Sequence, residues 1–514
     1  MIGFRTPQVL LLMAGAACST EFTPEPPEPP KPCTADSDCG AGLVCEKPDQ
    51  TPVCVRAEDA PILIGQSAPA TGANQALGTG MKLGIDLAFD EQNTNGGIRG
   101  RQLQLVFRDD SYQPDLAEAA TRALIDVQVS SNAVPSCPST ASAIGGSTPV
   151  SMTALTRGEN AVLAILGNVG TPTMVRAAPV AVETKTIFFG AFTGSSTLLR
   201  DMTAGNCRSY IFNVRASYAQ EARATMEYFR SKGIADHRHL ISFDQLDSFG
   251  QSGYDGLLTA YKDVVGPFPS TADQTTPIFR VRYVRDVESS VPQTAELTEA
   301  YLGTLLDAQQ SGPVTVGILM TDTYGPATAY IQALRTWQYD PTAMPAQLDQ
   351  RKRLRLLFSN VSFVGANALA DRLKALPPVP GAPTMSFTDN VVISQVVPNY
   401  QDDTSMVVTA YNTQIAKKGA TPSFTSLEGY ISARVFIAGL LQHPGPFVAG
   451  DPDAKLVHSF ESLPELSLGL GATSNFSATN HQYSSSVWGT ALKPDGSFQN
   501  LYFWSQDHPI QFVE

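Results

Sequence analysis

Alternating apolar and amphipathic segments predict an α/β protein with two parallel sheets, each covered by helices. Three observations carry that expectation. The run from Ile62 to Asp110 reads as strand, small-residue loop, helix and second strand without interruption. Further apolar runs of strand length lie at Ala161 to Leu166, Thr186 to Phe189, His239 to Phe243, Val314 to Met320 and Val391 to Val397, bounded by Gly, Ser, Asn or Asp. The chain has 514 residues, and the part beyond Pro61 is too long for a single core.

In the opening unit the first strand ends in Gly65, Ser67, Ala68 and Gly72. Small residues there leave backbone amides beside the positive end of the next helix, a place for a small polar ligand. GTGMKLG, Gly78 to Gly84, comes near a dinucleotide fingerprint, but its spacing is G-x-G-x-x-x-G and a long polar loop separates it from the strand. Close helix packing is the favoured reading. Leu116, Ala120, Leu124 and Val127 fall on one helical face, with Pro114 placed for a first turn. Residues 130 to 151, rich in Ser, Pro, Ala and Gly, read as an inserted surface loop.

The N-terminus, MIGFRTPQVLLLMAGAACST, has Arg5, an apolar run from Val9 to Ala17 and then Cys18, the pattern of a secretion signal over residues 1–18. Its end resembles the lipobox of bacterial lipoproteins, which makes Cys18 the expected lipidation site and ties the chain to a membrane. Gly15 stands where that pattern has an aliphatic residue, so ordinary signal cleavage stays open. Residues 19–32, dense in Pro and Glu, read as an extended spacer. Cys33, Cys39, Cys45 and Cys54 lie in a polar segment, 33–55, too short for a core, and export favours disulfides there. The spacings fit zinc loops poorly and no His is near. Four cysteines allow three pairings, and spacing does not choose. Cys137 and Cys207 form a further candidate bridge, or two thiols.

A net charge of −13 and a pI near 5.0 argue against nucleic acid as a partner. Past residue 20 no apolar run reaches the roughly 20 residues that span a bilayer. Chemistry is not advertised either. GQSG at Gly250 to Gly253 lacks the nucleophile elbow, and His237 and His239 read as a solvated strand edge. No enzyme activity, cofactor or metal is expected.

What recurs is small, hydroxyl-bearing sequence after apolar runs: GNVGTPT at 167–173, GAFTGSS at 190–196 and TDTYGP at 321–326. Ligands of doubly wound sheets sit off the carboxyl ends of strands. Threonine hydroxyls and backbone N–H groups suit a carboxylate there, and Asp322 suits an ammonium.

Taken in order, IGQSAPATG, ALGTGMKLGIDLAF, NGGIRGRQLQLVFRDDSYQP, LGNVGTPT, FNVRASYAQE, FDQLDSFGQSG and SLEGYISARV resemble the type I periplasmic binding proteins of the branched-chain amino-acid (Leu/Ile/Val-binding) group. These are the solute receptors of ABC importers. The resemblance runs from Ile62 to about Phe503. It implies two Rossmann-like lobes joined by three crossover segments, residues 60–215 with 396–485 and residues 216–395 with 486–514, with a ligand trapped between them. Thr171 and Thr193 would grip an α-carboxylate, helped by backbone at Gly170 and Ala191. Tyr218 follows the first crossing, Phe249 would cover the ligand, Leu77 would lie at the side-chain pocket, and Tyr430 would fall in a pocket-lining or hinge region. One departure stands out: where the leucine receptors carry a carboxylate for the α-ammonium in a Gly-Pro-Glu-Gly context, VGANA offers Asn367. Either Asp322 takes that role or the ligand is an amide, a urea-like compound or an organic acid. The implied partner is an ABC permease. The alternative is a ligand-sensing or surface-recognition receptor on the same scaffold.

Overall fold

The computed structural model describes residues 31–34, 38–41, 43–46, 53–56, 60–130, 154–195, 207–273, 275–401, 405–444, 447, 455–471 and 475–513. The expectations for the signal segment, Cys18, nearly all of the spacer, the inserted loop and the Cys137–Cys207 bridge lie outside the described residues.

Residues 1–57 form one compact unit and residues 58–514 another. In the first, Leu43–Glu46 pairs antiparallel with Val53–Arg56, with Cys45 opposite Cys54. The bridges are Cys33–Cys45 and Cys39–Cys54, the pairing that spacing left open. Each closes a short loop and contributes about 3 kcal/mol by restricting the unfolded chain.

The larger unit holds two main sheets. In the first, five parallel strands run in the order Leu103–Asp109, Ile62–Ala68, Ala164–Leu166, Ile187–Phe189, Ile211–Phe212. Helices Gln75–Thr94 and Phe424–Gln442 pack together on it, although they lie far apart in sequence. Gly84 in GTGMKLG is what allows their approach, since a Cβ there would stand 2.0 Å from the Ser426 carbonyl oxygen; one on Gly78 would stand 1.9 Å from the carbonyl oxygen of Pro69, in the loop that follows the first strand. The motif lies inside a helix that starts at Gln75 and serves packing.

The second sheet has eight strands. Phe279–Tyr283, Leu240–Gln245, Val314–Thr321, Leu354–Asn360 and Val391–Gln395 are parallel, and Val487–Leu492, Phe498–Ser505 and His508–Phe512 follow antiparallel. Leu240–Gln245 and Val391–Gln395 are buried at every residue, which is why they read as unbroken apolar runs. The antiparallel edge departs from the all-parallel expectation. Its strands are joined by short turns such as Lys493 to Ser497, and tight turns permit only antiparallel pairing.

The helix Pro114–Leu124 corrects one face assignment. It buries Ala117, Ala120, Thr121 and Leu124, while Leu116 is 49% exposed. The buried stripe follows i, i+3, i+4, i+7 spacing from Ala117, which turns Leu116 outward.

The chain crosses between the sheets three times. It leaves the first after Ile211–Phe212 and enters the second at Leu240, returns after Val391–Gln395 to the helices Met406–Lys418 and Phe424–Gln442, and crosses back before Val487. The first and third crossings run side by side: Asn213 N–H donates to His481 O (2.8 Å), and Tyr483 N–H donates to Asn213 O (2.8 Å). The result is two lobes, one per sheet, with the carboxyl ends of the strands facing a shared seam.

Candidate functional site

On the first-lobe side of the seam, the helix Thr171–Glu183 starts directly after the strand Ala164–Leu166, through Gly170 at φ 101°. Pro172 in its first turn lacks the N–H that a helix start would leave unbonded. Thr171 Oγ1 and Thr193 Oγ1 are 2.6 Å apart, Tyr218 Oη lies 3.4 Å from Thr193 Oγ1, and Ser195 N–H donates to Thr193 Oγ1 (3.3 Å). Thr193 N–H donates to Ala191 O. The three hydroxyl residues are buried. Hydroxyls gathered at the positive end of a helix make a cradle for a negatively charged oxygen.

Aromatic rings fill the space beside that cradle. Phe363 lies 6.0 Å from Tyr112, 5.0 Å from Phe192 and 4.8 Å from Phe249, and Phe249 lies 5.4 Å from Tyr218, measured between centroids. Tyr112 and Phe192 come from the first lobe, Phe249 and Phe363 from the second, so the rings interdigitate across the seam. Ser111 and Tyr112 hold positive φ (49° and 61°), a strained conformation for non-glycine residues that aims the Tyr112 ring back over Gly170. A Cβ on Gly170 would stand 2.3 Å from that ring.

Polar contacts close the lobes on each other. Asp286 accepts hydrogen bonds from Asn74 Nδ2 and Gln113 Nε2, both 2.8 Å. Ser195 Oγ meets Ser252 Oγ at 2.9 Å, and the Tyr324 hydroxyl donates to the Ala73 carbonyl. Leu77 sits on the seam opposite Gly365, where a Cβ would stand 2.7 Å from Leu77 Cδ2.

Behind the aromatics lies a buried ionic cluster. Arg215, in the first crossing, pairs with Glu221 (2.8 Å) and Glu428 (3.3 Å) and donates to Ser362 Oγ. Its guanidinium lies 5.2 Å from the Phe192 ring and 5.7 Å from that of Tyr218. Glu221 also accepts from Ser362 N–H (2.7 Å) and Ser394 Oγ (2.6 Å). Burial by itself depresses the arginine's pKa, but the Glu428 and Glu221 carboxylates outweigh it and raise it.

The structure therefore brings Gly170, Thr171, Ala191, Thr193, Tyr218 and Phe249 together and sets Leu77 on the same seam. Asp322 lies at the end of Val314–Thr321, fully buried, beside Asn360. Asn367 is engaged elsewhere: its Nδ2 donates to Tyr400 Oη (2.9 Å) and its Oδ1 accepts from Phe424 N–H (3.2 Å). Tyr430 belongs to the first lobe's helix pair, donating to Glu91 Oε2 (2.6 Å). Sequence reading passed over Tyr112, Phe192, Phe363, Arg215 and Asp286. Only Tyr112 carried a local signal, as an aromatic directly after the strand-ending RDDS.

A two-lobed α/β clamshell with three crossings and a buried hydroxyl cluster on its seam has the architecture of a solute-binding protein. The chain belongs to the periplasmic binding protein family, whose model matches residues 61–148 and 145–497. It is similar in structure to a possible leucine/isoleucine/valine-binding protein from Rhodopirellula baltica SH 1, with TM-score 0.64 and 27% identity over 87% of this chain and 98% of that one. It shares its fold with the leucine binding protein LivK from Thermotoga maritima MSB8, with TM-score 0.59 and 16% identity over 87% and 99% of the two chains. A fatty acid ABC transporter substrate-binding protein from Thermomonospora curvata aligns with TM-score 0.56 and 15% identity over 86% and 91%. Among curated proteins, Leu/Ile/Val-binding protein homolog 2 of Brucella abortus (strain 2308) is 42% identical over 55 residues, 11% of this chain and 15% of that protein. That match spans a small part of the relative's length. The family binds solutes outside the cytoplasm, and catalysis is not its business. Among the described residues no helix is long and apolar enough to cross a membrane.

Proposed function

We propose that this chain captures a small carboxylate-bearing solute between its lobes and delivers it to an ABC permease. The hydroxyl pair of Thr171 and Thr193 at a helix start carries the reading. A carboxylate is also what leucine and a fatty acid, the ligands named for two structural neighbours, have in common. Ala191 would add a backbone donor, Tyr218 a third hydroxyl, and Phe249 and Leu77 the apolar walls, while the Gly170 N–H is spent on the Phe192 carbonyl (3.1 Å). The lobes hinge in the three crossings, near residues 215, 396 and 485, and closure follows from how much better the closed form holds the solute. We place the chain in the periplasm or at the cell surface, anchored through Cys18; intact-mass measurement of the membrane fraction, with and without Cys18→Ser, tests the anchor.

The deciding experiment is a thermal-shift screen against amino acids, amides and small organic acids. A true ligand at 100 times its dissociation constant adds about 2.7 kcal/mol of apparent stability. A screen in which no carboxylate raises the melting temperature refutes the reading. The separately compact, disulfide-linked residues 1–57 favour a second reading, a receptor that reports its ligand to another protein. Solute uptake that survives deletion of residues 33–55, with signalling lost, would select it.

A further inference from the structure

A short helical turn, Ser362–Val364, follows the second-lobe strand Leu354–Asn360. Its backbone is pinned by three hydrogen bonds: Val361 N–H donates to Met320 O (3.2 Å), Ser362 N–H to Glu221 Oε2 (2.7 Å) and Val364 N–H to Val361 O (3.0 Å). Gly365 ends the turn at φ 77°, at the point where Leu77 of the first lobe comes close. The turn carries the fully buried Phe363 ring against two rings of the first lobe, Phe192 at 5.0 Å and Tyr112 at 6.0 Å. Both of those rings adjoin the hydroxyl cluster. Phe192 directly precedes Thr193, and the Tyr112 ring lies over Gly170, directly before Thr171.

We infer that Phe363 sets the size limit of the solute: its ring stands where the tail of a carboxylate held by Thr171 and Thr193 would extend, so that the cleft favours short tails over long or aromatic ones. The inference rests on the cleft reading above and names the residue that selects within it. A longer tail would have to drive the ring against Phe249, 4.8 Å away, or pull Ser362 off Glu221. Overpacking a buried cluster and breaking a hydrogen bond to a buried carboxylate both weaken binding, which turns tail length into affinity.

Glu221 makes the position of that ring part of the hinge. It accepts from Ser362 N–H (2.7 Å), Ser362 Oγ (3.0 Å) and Ser394 Oγ (2.6 Å), and it pairs with Arg215 (2.8 Å) in the first crossing. Arg215 in turn reaches Glu428 on the first lobe's helix Phe424–Gln442 (3.3 Å) and lies 5.2 Å from the Phe192 ring. The ionic cluster at the hinge and the ring in the seam thus share one carboxylate. Glu221 and Ser362 are positioning residues, acting on the solute through Phe363.

The test uses the full chain and two probe series, each varying only in its tail: acetate, butyrate, hexanoate and octanoate, and glycine, alanine, leucine and phenylalanine. Melting temperature identifies the series that binds, and calorimetry measures its members. Wild type should hold some shorter member at least about 10-fold more tightly than octanoate or phenylalanine. Phe363→Ala should move the ratio of long-tail to short-tail affinity about 10- to 100-fold toward the long tail. Phe363→Leu, which keeps most of the buried volume, should move it the same way by less. Ser362→Ala loses the Oγ contacts with Glu221 and Arg215 but keeps its N–H, and should shift the ratio several-fold, whereas a purely structural role would lower the melting temperature and leave the ratio alone. An unchanged ratio in Ser362→Ala removes the positioning role from Ser362 and Glu221. A wild type that binds octanoate or phenylalanine as tightly as every shorter member, or a ratio unchanged in both Phe363 variants, overturns the inference. If that unchanged ratio accompanies binding that Thr171→Val weakens, the cleft reading stands without it. Silence of the wild type toward both series removes the cleft reading and the size limit together.

Discussion

Ser195 Oγ and Ser252 Oγ meet 2.9 Å apart across the seam, one from each lobe. Together with Asp286, which binds Asn74 and Gln113, this contact holds the clamshell shut at its rim and leaves the lobe cores untouched. Each such hydrogen bond is worth about 1 kcal/mol net.

Asp286→Ala removes the acceptor for both Asn74 and Gln113. The ligand-free variant should scatter X-rays with a larger radius of gyration than wild type and bind its solute several-fold more weakly, with little change in melting temperature. An unchanged radius would show that the latch does not set the closed population.

Thr171→Val keeps the shape and removes the hydroxyl that meets Thr193 at 2.6 Å. Hydrogen bonds to a charged group are worth about 1.5 to 3 kcal/mol, so affinity for a carboxylate solute should fall about 10- to 100-fold by calorimetry. Thr171→Ser should restore most of it, which a purely structural role would not require.

Arg215→Met leaves Glu221 and Glu428 without their shared cation. Breaking a buried ion pair from one side costs roughly 3 to 5 kcal/mol, which a urea unfolding curve will show. Adding Glu221→Gln should recover part of that loss. A single variant as stable as wild type would mean that water reaches the cluster.

Asp110 titrates at about 6, raised chiefly by burial, with the Ser67 hydroxyl and the Tyr112 N–H pulling it partly back. A raised carboxyl favours the fold while protonated. Its contribution is therefore fully present below pH ~4 and lost as pH rises through about 6, on the order of 2 to 3 kcal/mol. Asp110→Asn should flatten this dependence, since the Ser67 hydroxyl can turn from donor to acceptor. Urea midpoints at pH 4 and pH 7.5 should differ less in the variant; equal differences would remove Asp110 as the cause.

Much of the fold was legible because its signals are local. The strands Leu240–Gln245 and Val391–Gln395 are buried throughout and appear as plain apolar runs, and the loops holding Thr171 and Thr193 follow such runs directly. The helix at Pro114 was placed but its face was misjudged at Leu116, because Leu and Ala at neighbouring positions do not say which one turns inward. The aromatic seam escaped notice for a similar reason. Tyr112, Phe192 and Phe363 each look like ordinary core residues until the lobes bring them together.

The sequence by itself determined the alternation of strands and helices, the cysteine-bearing segment ahead of them, and the small hydroxyl loops at strand ends, since periodicity and turn chemistry are written within a few neighbouring residues. Tertiary structure alone decided which cysteines pair, that Asn367 is tied up, that Asp322 Oδ2 has no partner among the described residues, and that Asp286 reaches Asn74 across 212 positions of sequence. Burial and charge pairing depend on what the folded chain places alongside a group, and those neighbours come from parts of the chain that no local pattern connects.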